Sequence, residues 1–508
     1  MEPFPVAPMS STPQVPANPQ VSRQGLPFRM NRVVAEMKRL KAHHEPEAVH
    51  DLRVALRHCR SLAKAMAEVD PHPAWRALRK TSRKLFRQLG ALRDAQVLAG
   101  WVTNLGFADS SLKAALCEAL AEREHEARKN AAAALASFDG PRWSDLRRVL
   151  RKRRRLVPPD SLAARSLTLE CYEKACALHE KARRSRSAAS WHALRMGIKL
   201  FRYTLEGLLP QRHAEWGDEL RSLQDLLGEV HDFDQLALLL KEKRNAGDDA
   251  SYAQWRETIQ RERSARLRAY RQATRGKHGP WQRWRAGLPQ KSQLAAAGLA
   301  RLNATAAALD PQPQNTRDVE KLALALFDAL GTAGVSPLFR DRRTRLTLRA
   351  AARLHNIGRS EGKKARHKKA RKMIARLVPP PGWFSATLEE VAWIARFHRG
   401  PEPAEASGRF GSLLPERREC VLALAGVIRL ARALRRTSVS TDVALEAELS
   451  FDGIVLRAPG LADTGANAAR VAAGKHLLEK VLGRVLLIKP VPGEAAPSAQ
   501  PLLAPLAG

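Results

Sequence analysis

HDLRVALRHCR, residues 50–60, recurs later in the chain as HALRMGIKLFR, residues 192–202. Aligned without a gap, the two segments superpose their histidines, their first arginines and two further basic positions. A second pair follows in the same order: LGALRDAQVL at residues 89–98 and LGEVHDFDQL at residues 227–236. Two segments that match in order at nearly the same spacing indicate an internal duplication.

The basic residues of the repeated segment recur at intervals of three and four, which places them on one face of a helix. The two rows are His50, Arg53, Arg57, Arg60 and Lys64 in the first copy, and His192, Arg195, Lys199 and Arg202 in the second. An apolar row precedes each basic row by one residue, about 100° around the helix. We therefore expect the basic groups to flank the core at the edge of a groove. A single such row could equally be a solvated surface, but its repetition favours binding.

A second basic row follows in the first copy only. It includes Arg79, Arg83 and Arg87, whereas the corresponding part of the second copy places Asp218 and Glu219. We expect the first half to carry more of the binding. Like charges four residues apart destabilise a helix by a few tenths of a kcal/mol, roughly, per pair. A bound anion would offset that cost, and arginine can hold phosphate oxygens with two hydrogen bonds.

The composition limits the choice of partner. The 508 residues include 87 Lys and Arg against 51 Asp and Glu, a formal net charge of +36. Such an excess suits nucleic acid, an anionic membrane, polyphosphate or phosphorylated nucleotides. Aromatic residues are only 5% of the chain, which disfavours a protein that stacks single-stranded bases. The longest apolar run, Cys420–Ile428, is too short to span a bilayer, so we expect no membrane partner.

Five scattered cysteines and the lack of a signal-peptide pattern predict a cytoplasmic protein. Helical periodicity predicts a mainly α fold with duplicated bundles, followed by a second helical domain. Beyond it we expect a small α+β unit with strands at 444–449, 453–458 and 484–489. The predicted regions are a disordered Pro-rich N-terminus at 1–27, helical repeats at 28–150 and 160–290, a helical domain at 316–436, the α+β unit at 437–490 and a disordered tail at 491–508.

The duplicated segments, KLFRY at residues 199–203 and the two LG-x-x-x-D stretches resemble the CHAD family over about residues 23–288. The resemblance implies two related helical bundles around a basic channel that binds polyphosphate without catalysis. By position it implies a binding role for His50, Arg53, Arg57, Arg60, His192, Arg195, Lys199 and Arg202. Lys64, Arg79, Arg83 and Arg87 complete the candidate set on the basic rows alone.

The second half carries LHNIG, HKKARKMI and IARFHRG, and resembles the C-terminal, HD-like region of the exopolyphosphatase and guanosine pentaphosphate phosphatase family over about residues 316–490. In that family, actin-like domains perform hydrolysis, and CHAD-like helices take their place here. The histidines of these motifs, His355, His367 and His398, are weak metal candidates. HD phosphohydrolases centre on a His-Asp pair, but this chain has Asn356 after His355. We therefore expect neither a metal nor another cofactor.

A run of basic residues in this half predicts a second anion patch. Its members are Lys363, Lys364, Arg366, Lys368, Lys369 and Lys372. A solvated run or a contact with nucleic acid is the alternative.

The interpretation that accounts for most features is non-catalytic binding of inorganic polyphosphate, with association with polyphosphate granules. Phosphorylated nucleotides are a second candidate ligand. Two other functions stay open. One is an HD-type, metal-dependent phosphohydrolase acting on polyphosphate or phosphorylated guanosine nucleotides. The other is nucleic-acid binding without sequence specificity, driven by counterion release.

Overall fold

The computed structural model describes residues 25–42, 46–105, 111–185, 187–362, 364–402, 408–437, 439–441, 444–462 and 464–491. The chain divides into two compact units. The first contains Met1–Ala164 and Cys171–Leu288, and the second contains Arg165–Glu170 and Pro289–Gly508.

Long helices make up the first unit. They are α1 (Leu26–Ala42), α2 (Pro46–Met66), α3 (Pro73–Thr81), α4 (Arg83–Asn104), α5 (Ser111–Ala136), α6 (Gly140–Arg153), α7 (Leu162–Arg184), α8 (Ala188–Leu208), α9 (Pro210–Glu242), α10 (Asp249–Ala273) and α11 (Pro280–Ala286). Within α7, Arg165–Glu170 belongs to the second unit.

The duplicated segments form α2 and α8, which pack against each other. Their apolar rows are buried as the spacing predicts: Leu52 and Leu56 on α2, and Leu194 and Ile198 on α8, have no exposed surface. Each such side chain contributes roughly 1.5–3 kcal/mol of transfer free energy. The packing repeats as well, because α4 contacts α2 and α5 while α9 contacts α8 and α10.

The connection from α2 to α3 is held by a fully buried carboxylate. Asp70 accepts a hydrogen bond from the indole Nε1 of Trp75 at 2.7 Å and two from the guanidinium of Arg153 at 2.5 Å. These contacts join α3 and α6 to the end of α2. Removing one partner of such a buried pair costs about 3–5 kcal/mol.

The second unit begins with further helices. They are α12 (Lys291–Leu309), α13 (Pro313–Thr332), α14 (Arg342–Leu354), α15 (Arg366–Ile374), α16 (Ser385–Phe397), α17 (Gly408–Gly411), α18 (Pro415–Leu434) and α19 (Gly465–Leu482). Helix α13 packs against α14 and α18, and α16 packs against the same two helices.

A three-stranded sheet completes the second unit, in the order β1 (Glu446–Ser450), β2 (Gly453–Ala458), β3 (Leu486–Pro490). Strands β1 and β2 form an antiparallel hairpin, whereas β2 and β3 are parallel and joined through α19. Ile454, Leu456 and Ala458 alternate along the central strand and are fully buried.

The predicted fold class is confirmed: the fold is mainly helical, with a duplicated arrangement and a small α+β unit at the end. The observed strands lie within two residues of their predicted bounds. Helix α1 begins at Leu26, and residues 1–24 and 492–508 lie outside the described residues, so the disorder predicted there is untested. The finer domain bounds also stay a prediction. None of the described helices has the length and apolarity needed to cross a membrane.

Candidate functional site

A cavity of about 630 Å³ lies in the first unit, between α2, α8 and their neighbours. Nine of the predicted binding residues line it: Arg53, Arg57, Arg60, Lys64, Arg79, Arg87, His192, Arg195 and Lys199. The structure thus brings the basic rows of both copies to one space. Arg53 and Lys64 are eleven residues apart on α2, so the row extends over about 16 Å at about 1.5 Å per residue.

The cations of this cavity lack acidic partners. Among the described residues, none of the eight lysines and arginines that line it forms an ion pair within 4 Å, and Nε of Arg195 is buried without a hydrogen-bond partner. Elsewhere in the unit arginines are paired: Arg263 contacts Asp234 at 2.6 Å, and Arg266 contacts Glu229 at 2.7 Å. Ion pairs thus form elsewhere in the unit, whereas the described residues that line the cavity show none.

Lys199 is the most deeply placed of these cations, with 8% of its surface exposed. Burial, followed by the charges of Arg57 and Arg195, lowers the pKa of Lys199 to about 6. Burial also lowers the pKa of Arg53 to about 10. Basic groups thus lie where water cannot fully solvate their charged forms, and a nearby anion would favour those charged forms.

One aromatic ring and one glycine arrange the guanidinium groups. Arg53, Arg57 and Arg60 lie over the ring of Phe86, at 5.6, 5.6 and 4.9 Å from its centre. Such cation–π contacts offset part of the repulsion between the arginines. A Cβ atom at Gly90 would come within 2.5 Å of Nη1 of Arg53, so the glycine gives this side chain its space.

Two histidines form one side of the cavity. The Nδ1 atoms of His192 and His231 are 3.3 Å apart. Burial, followed by the charge of Arg195, lowers the pKa of His231 to about 4. Burial also lowers the pKa of His192. Both rings would gain protons more readily beside a bound anion.

Three of the predicted residues lie outside the cavity lining. His50 is exposed at the start of the row, and Arg83 is exposed at the start of α4. Arg202 instead donates to Oε1 of Gln224 at 3.1 Å. Arg60 lines the cavity but is partly engaged, because its Nη1 donates to the carbonyl of Arg79 at 2.6 Å.

The aspartates of the two LG-x-x-x-D stretches have different surroundings. Asp94 is exposed and lines the cavity. Asp232 is partly buried and lies outside the lining, and burial raises its pKa to about 6 despite the charge of Arg195. The two copies are therefore not equivalent at this position.

Sequence reasoning missed the residues that support the rows. No feature of the sequence pointed to Phe86. Tyr203, in contrast, ends the KLFRY motif at residues 199–203. The ring of Tyr203 lies 4.5 Å from that of His58. Nδ1 of His58 is 3.3 Å from Glu206, which also pairs with Arg29. His58 of the first copy aligns with Leu200 of the second. This difference between the copies is the sequence feature that could have identified His58 as a supporting residue.

The predicted second anion patch is partly on α15. Lys364, Lys368 and Lys372 are exposed, whereas Arg366 is half-buried. Lys363 lies outside the described residues. Lys369 donates to the backbone carbonyl of Glu361, so it holds the preceding turn. The patch stays a prediction.

The structure brings His355 and His398 together, with ring centres 4.9 Å apart. Each is buried and donates its Nδ1 proton to a backbone carbonyl of its own helix, Ala352 at 2.6 Å and Ala395 at 2.7 Å. Burial, followed by the charge of Arg432, lowers the pKa of His355 to about 4.

These histidines do not fit a catalytic metal centre. A cationic guanidinium, Arg432, acts on both rings, which opposes a metal ion. The Asn356 amide donates to Asp310 at 2.9 Å, and the same carboxylate accepts from Thr316. His367 is half-buried on α15. Within the described ranges, His, Cys, Asp and Glu form no group of three or more that could hold a metal ion.

Arginines of α18 surround the end of α16, and sequence reasoning assigned them no role. Arg429 donates to the carbonyls of Phe397 and Gly400, both at 2.7 Å. Arg432 donates to the carbonyl of His398 at 3.3 Å. They satisfy carbonyl groups that the helix end leaves unpaired, a structural task.

Residues 28–241 match the family model of the CHAD domain, and residues 304–457 match that of Ppx/GppA phosphatase, domain III. Both predicted resemblances are confirmed. The first match contains all lining residues of the basic cavity, and the second contains His355, His367 and His398. Both matches are consistent with a polyphosphate-related function.

Among solved structures, the crystal structure of the CHAD domain from the plant Ricinus communis is 25% identical to this chain. The match covers 52% of this chain and 88% of that chain, with a TM-score of 0.35. No curated protein sequence matches the chain.

Proposed function

We propose that the basic cavity of the CHAD region binds inorganic polyphosphate and does not hydrolyse it. The observation that carries this proposal is the convergence of eight lysines and arginines on one cavity without ion-pair partners among the described residues. A chain of phosphates presents a charge on every unit, so it can satisfy a row of cations along its length.

The cavity suits a phosphate chain better than a nucleic acid. Base recognition needs free aromatic faces or hydrogen bonds to base edges. The ring of Phe86 is already in contact with three guanidinium groups, and that of Tyr203 with Arg57 and Arg202. A groove of guanidinium and ammonium groups holds phosphate oxygens without reading a base.

The proposed function does not include hydrolysis of the bound polyphosphate. Asp94 is the one carboxylate among the described lining residues, and it is exposed. The lining otherwise offers cations that stabilise a bound anion. The Ppx/GppA region would contribute further contacts through Lys364, Lys368 and Lys372. Binding of long chains would place the protein on polyphosphate granules in the cytoplasm.

A pair of variants, each with four Lys or Arg residues replaced by Ala, tests the cavity. The cavity variant combines Arg53→Ala, Arg57→Ala, Arg195→Ala and Lys199→Ala. The control removes four exposed cations of the same unit, through Arg142→Ala, Lys181→Ala, Arg256→Ala and Arg268→Ala. At physiological salt we expect the cavity variant to lose at least about 100-fold in affinity for long-chain polyphosphate, since each charge-assisted contact contributes roughly 1 kcal/mol or more. Equal losses in both variants would show that net charge alone is responsible.

A competition titration tests the ligand class. Bound polyphosphate should resist displacement by double-stranded DNA, single-stranded RNA or guanosine pentaphosphate, and its affinity should fall steeply with salt. Incubation with and without manganese should release no phosphate. Manganese-dependent release that a His355→Ala variant abolishes would support the phosphohydrolase alternative instead.

A further inference from the structure

The charge of the basic cavity reverses at one end. There it shares Ala91, Asp94 and His231 with a neighbouring groove of about 510 Å³ between α4, α5 and α9. The two spaces therefore adjoin at these residues, and a ligand that extends beyond Asp94 would reach this groove.

The neighbouring groove is unsuited to phosphate. Glu122 and Glu126 line it, and its arginine, Arg123, is paired with Glu242 at 2.5 Å. Its buried floor is apolar and consists of Ala95, Leu98, Leu120 and Ala127. An anion that passed Asp94 would meet further carboxylates and no unpaired cation among the described lining residues.

The opposite end of the cavity continues into positive surface. Arg53 lies beside Gly90, whereas Arg60 donates to Oγ of Ser82 at 3.0 Å, so α2 and α4 run in opposite directions along the cavity. Lys64 therefore lies at the end away from the carboxylates. Beyond it, α3 and the start of α4 expose Arg76, Lys80 and Arg83.

We propose, on the basis of the proposed function, that this cavity binds the end of a polyphosphate chain rather than its middle. The terminal phosphate lies beside Asp94, His192 and His231. The remainder of the chain leaves past Lys64 and Arg79 over the exposed basic residues of α3. The carboxylates of the neighbouring groove keep the chain from continuing in the other direction.

The acid–base chemistry of a terminal phosphate distinguishes it from an internal phosphate. A terminal phosphate carries a second, weakly acidic hydroxyl, and the corresponding pKa of a phosphate monoester is about 6. A neighbouring carboxylate favours the protonated form of this hydroxyl, which then donates a hydrogen bond to Asp94. Internal phosphates are fully deprotonated, so an internal unit at this place would bring unprotonated oxygens against a carboxylate. Asp94 is thus a specificity residue, while the arginines supply the affinity.

The first test compares linear polyphosphate with free ends, the same chains with both ends esterified, and cyclic polyphosphate. Competition titrations with the full chain at physiological salt should give at least about tenfold tighter binding for free ends. Equal, tight binding of all three ligands would overturn end recognition and leave the proposed function intact. Failure of every ligand to bind would overturn both.

Stoichiometry gives an independent readout. A linear chain has two ends, so long chains should saturate at two protein molecules whatever their length, as measured by sedimentation or light scattering. Saturation that grows with chain length would show binding along the chain and refute the proposal.

Substitution of the carboxylates tests which of them produces the preference for free chain ends. Asp94→Asn should raise the affinity for esterified chains and reduce the preference for free ends. Glu122→Gln combined with Glu126→Gln should act in the same direction by letting chains pass into the groove. Glu118→Gln, on an exposed position of α5 outside the groove lining, is the matched control and should keep the preference. An undiminished preference in both test variants would contradict the assignment.

Discussion

Lys199 is the residue through which we expect ligand binding to be coupled to proton uptake. In the free protein its pKa is lowered to about 6 by burial and by neighbouring arginines. At pH 7.5 the side chain is therefore mostly neutral. A phosphate oxygen nearby favours the charged ammonium and raises the pKa by about 1–3 units.

Proton linkage sets the direction of the pH dependence of binding. The bound state holds more protons than the free state, so the affinity rises as the pH falls. Between the free and bound pKa values of Lys199 the binding constant should change by up to about tenfold per pH unit, equivalent to about 1.4 kcal/mol. We expect roughly two- to eightfold tighter binding at pH 7 than at pH 8.

Calorimetric titrations in two buffers of different ionisation enthalpy measure this uptake directly. At pH 7.5, Lys199→Met should bind with up to one proton fewer than the wild type, and with a flatter pH dependence. His192 and His231 are present in both proteins, so the difference isolates the lysine. Lys64→Met, which removes an exposed lysine of the same row, should weaken binding without changing the uptake. Equal proton uptake in wild type and Lys199→Met would refute the reasoning.

Three further predictions concern the free protein and the shape of the cavity. Gly90→Ala should raise the free energy of unfolding by about 0.5–1 kcal/mol, as expected for a helical glycine, but weaken polyphosphate binding because Arg53 must move. Gly228→Ala, at the equivalent position with open space around it, should give the same stabilisation without loss of affinity; a loss in both would refute the role of Gly90. Phe86→Leu should lower the free energy of unfolding by about 1 kcal/mol or more in urea titrations, since three guanidinium groups lose a ring face. Lys199→Met should stabilise the free protein by at least about 1 kcal/mol near pH 6, and this gain should vanish as the pH approaches 10.5, since only the unfolded lysine is charged in that interval. A gain independent of pH would contradict that cause.

Much of the fold and of the candidate site could be predicted because both rest on short-range periodicity. The spacing of Leu52 and Leu56, repeated at Leu194 and Ile198, fixes which helix face is buried, since apolar residues leave water wherever they recur every three or four positions. The sequence also predicts a short strand at residues 453–458, beside Asp452-Gly453, and the structure makes it the central strand of the sheet.

In the second unit, sequence motifs do not suffice to decide whether a metal can bind. The motif histidines suggested a site by their type, and the structure brings His355 and His398 side by side. Whether a metal fits there depends on Arg432 of α18 and on Asp310, which directly follows α12, and both are distant in sequence from His355. A local sequence pattern does not show which charged groups from distant parts of the chain lie beside a residue.

The sequence by itself determined that two basic rows exist, that each flanks a buried face, and that the C-terminal part carries a small sheet. Only the tertiary structure decided that both rows line one cavity, that Phe86 and Gly90 set the positions of the guanidinium groups, and that carboxylates line the groove beside one end. The physical reason is that helix periodicity orients a side chain relative to its own axis. The distances between axes, and therefore burial, pKa and ion pairing, depend on how separate helices pack.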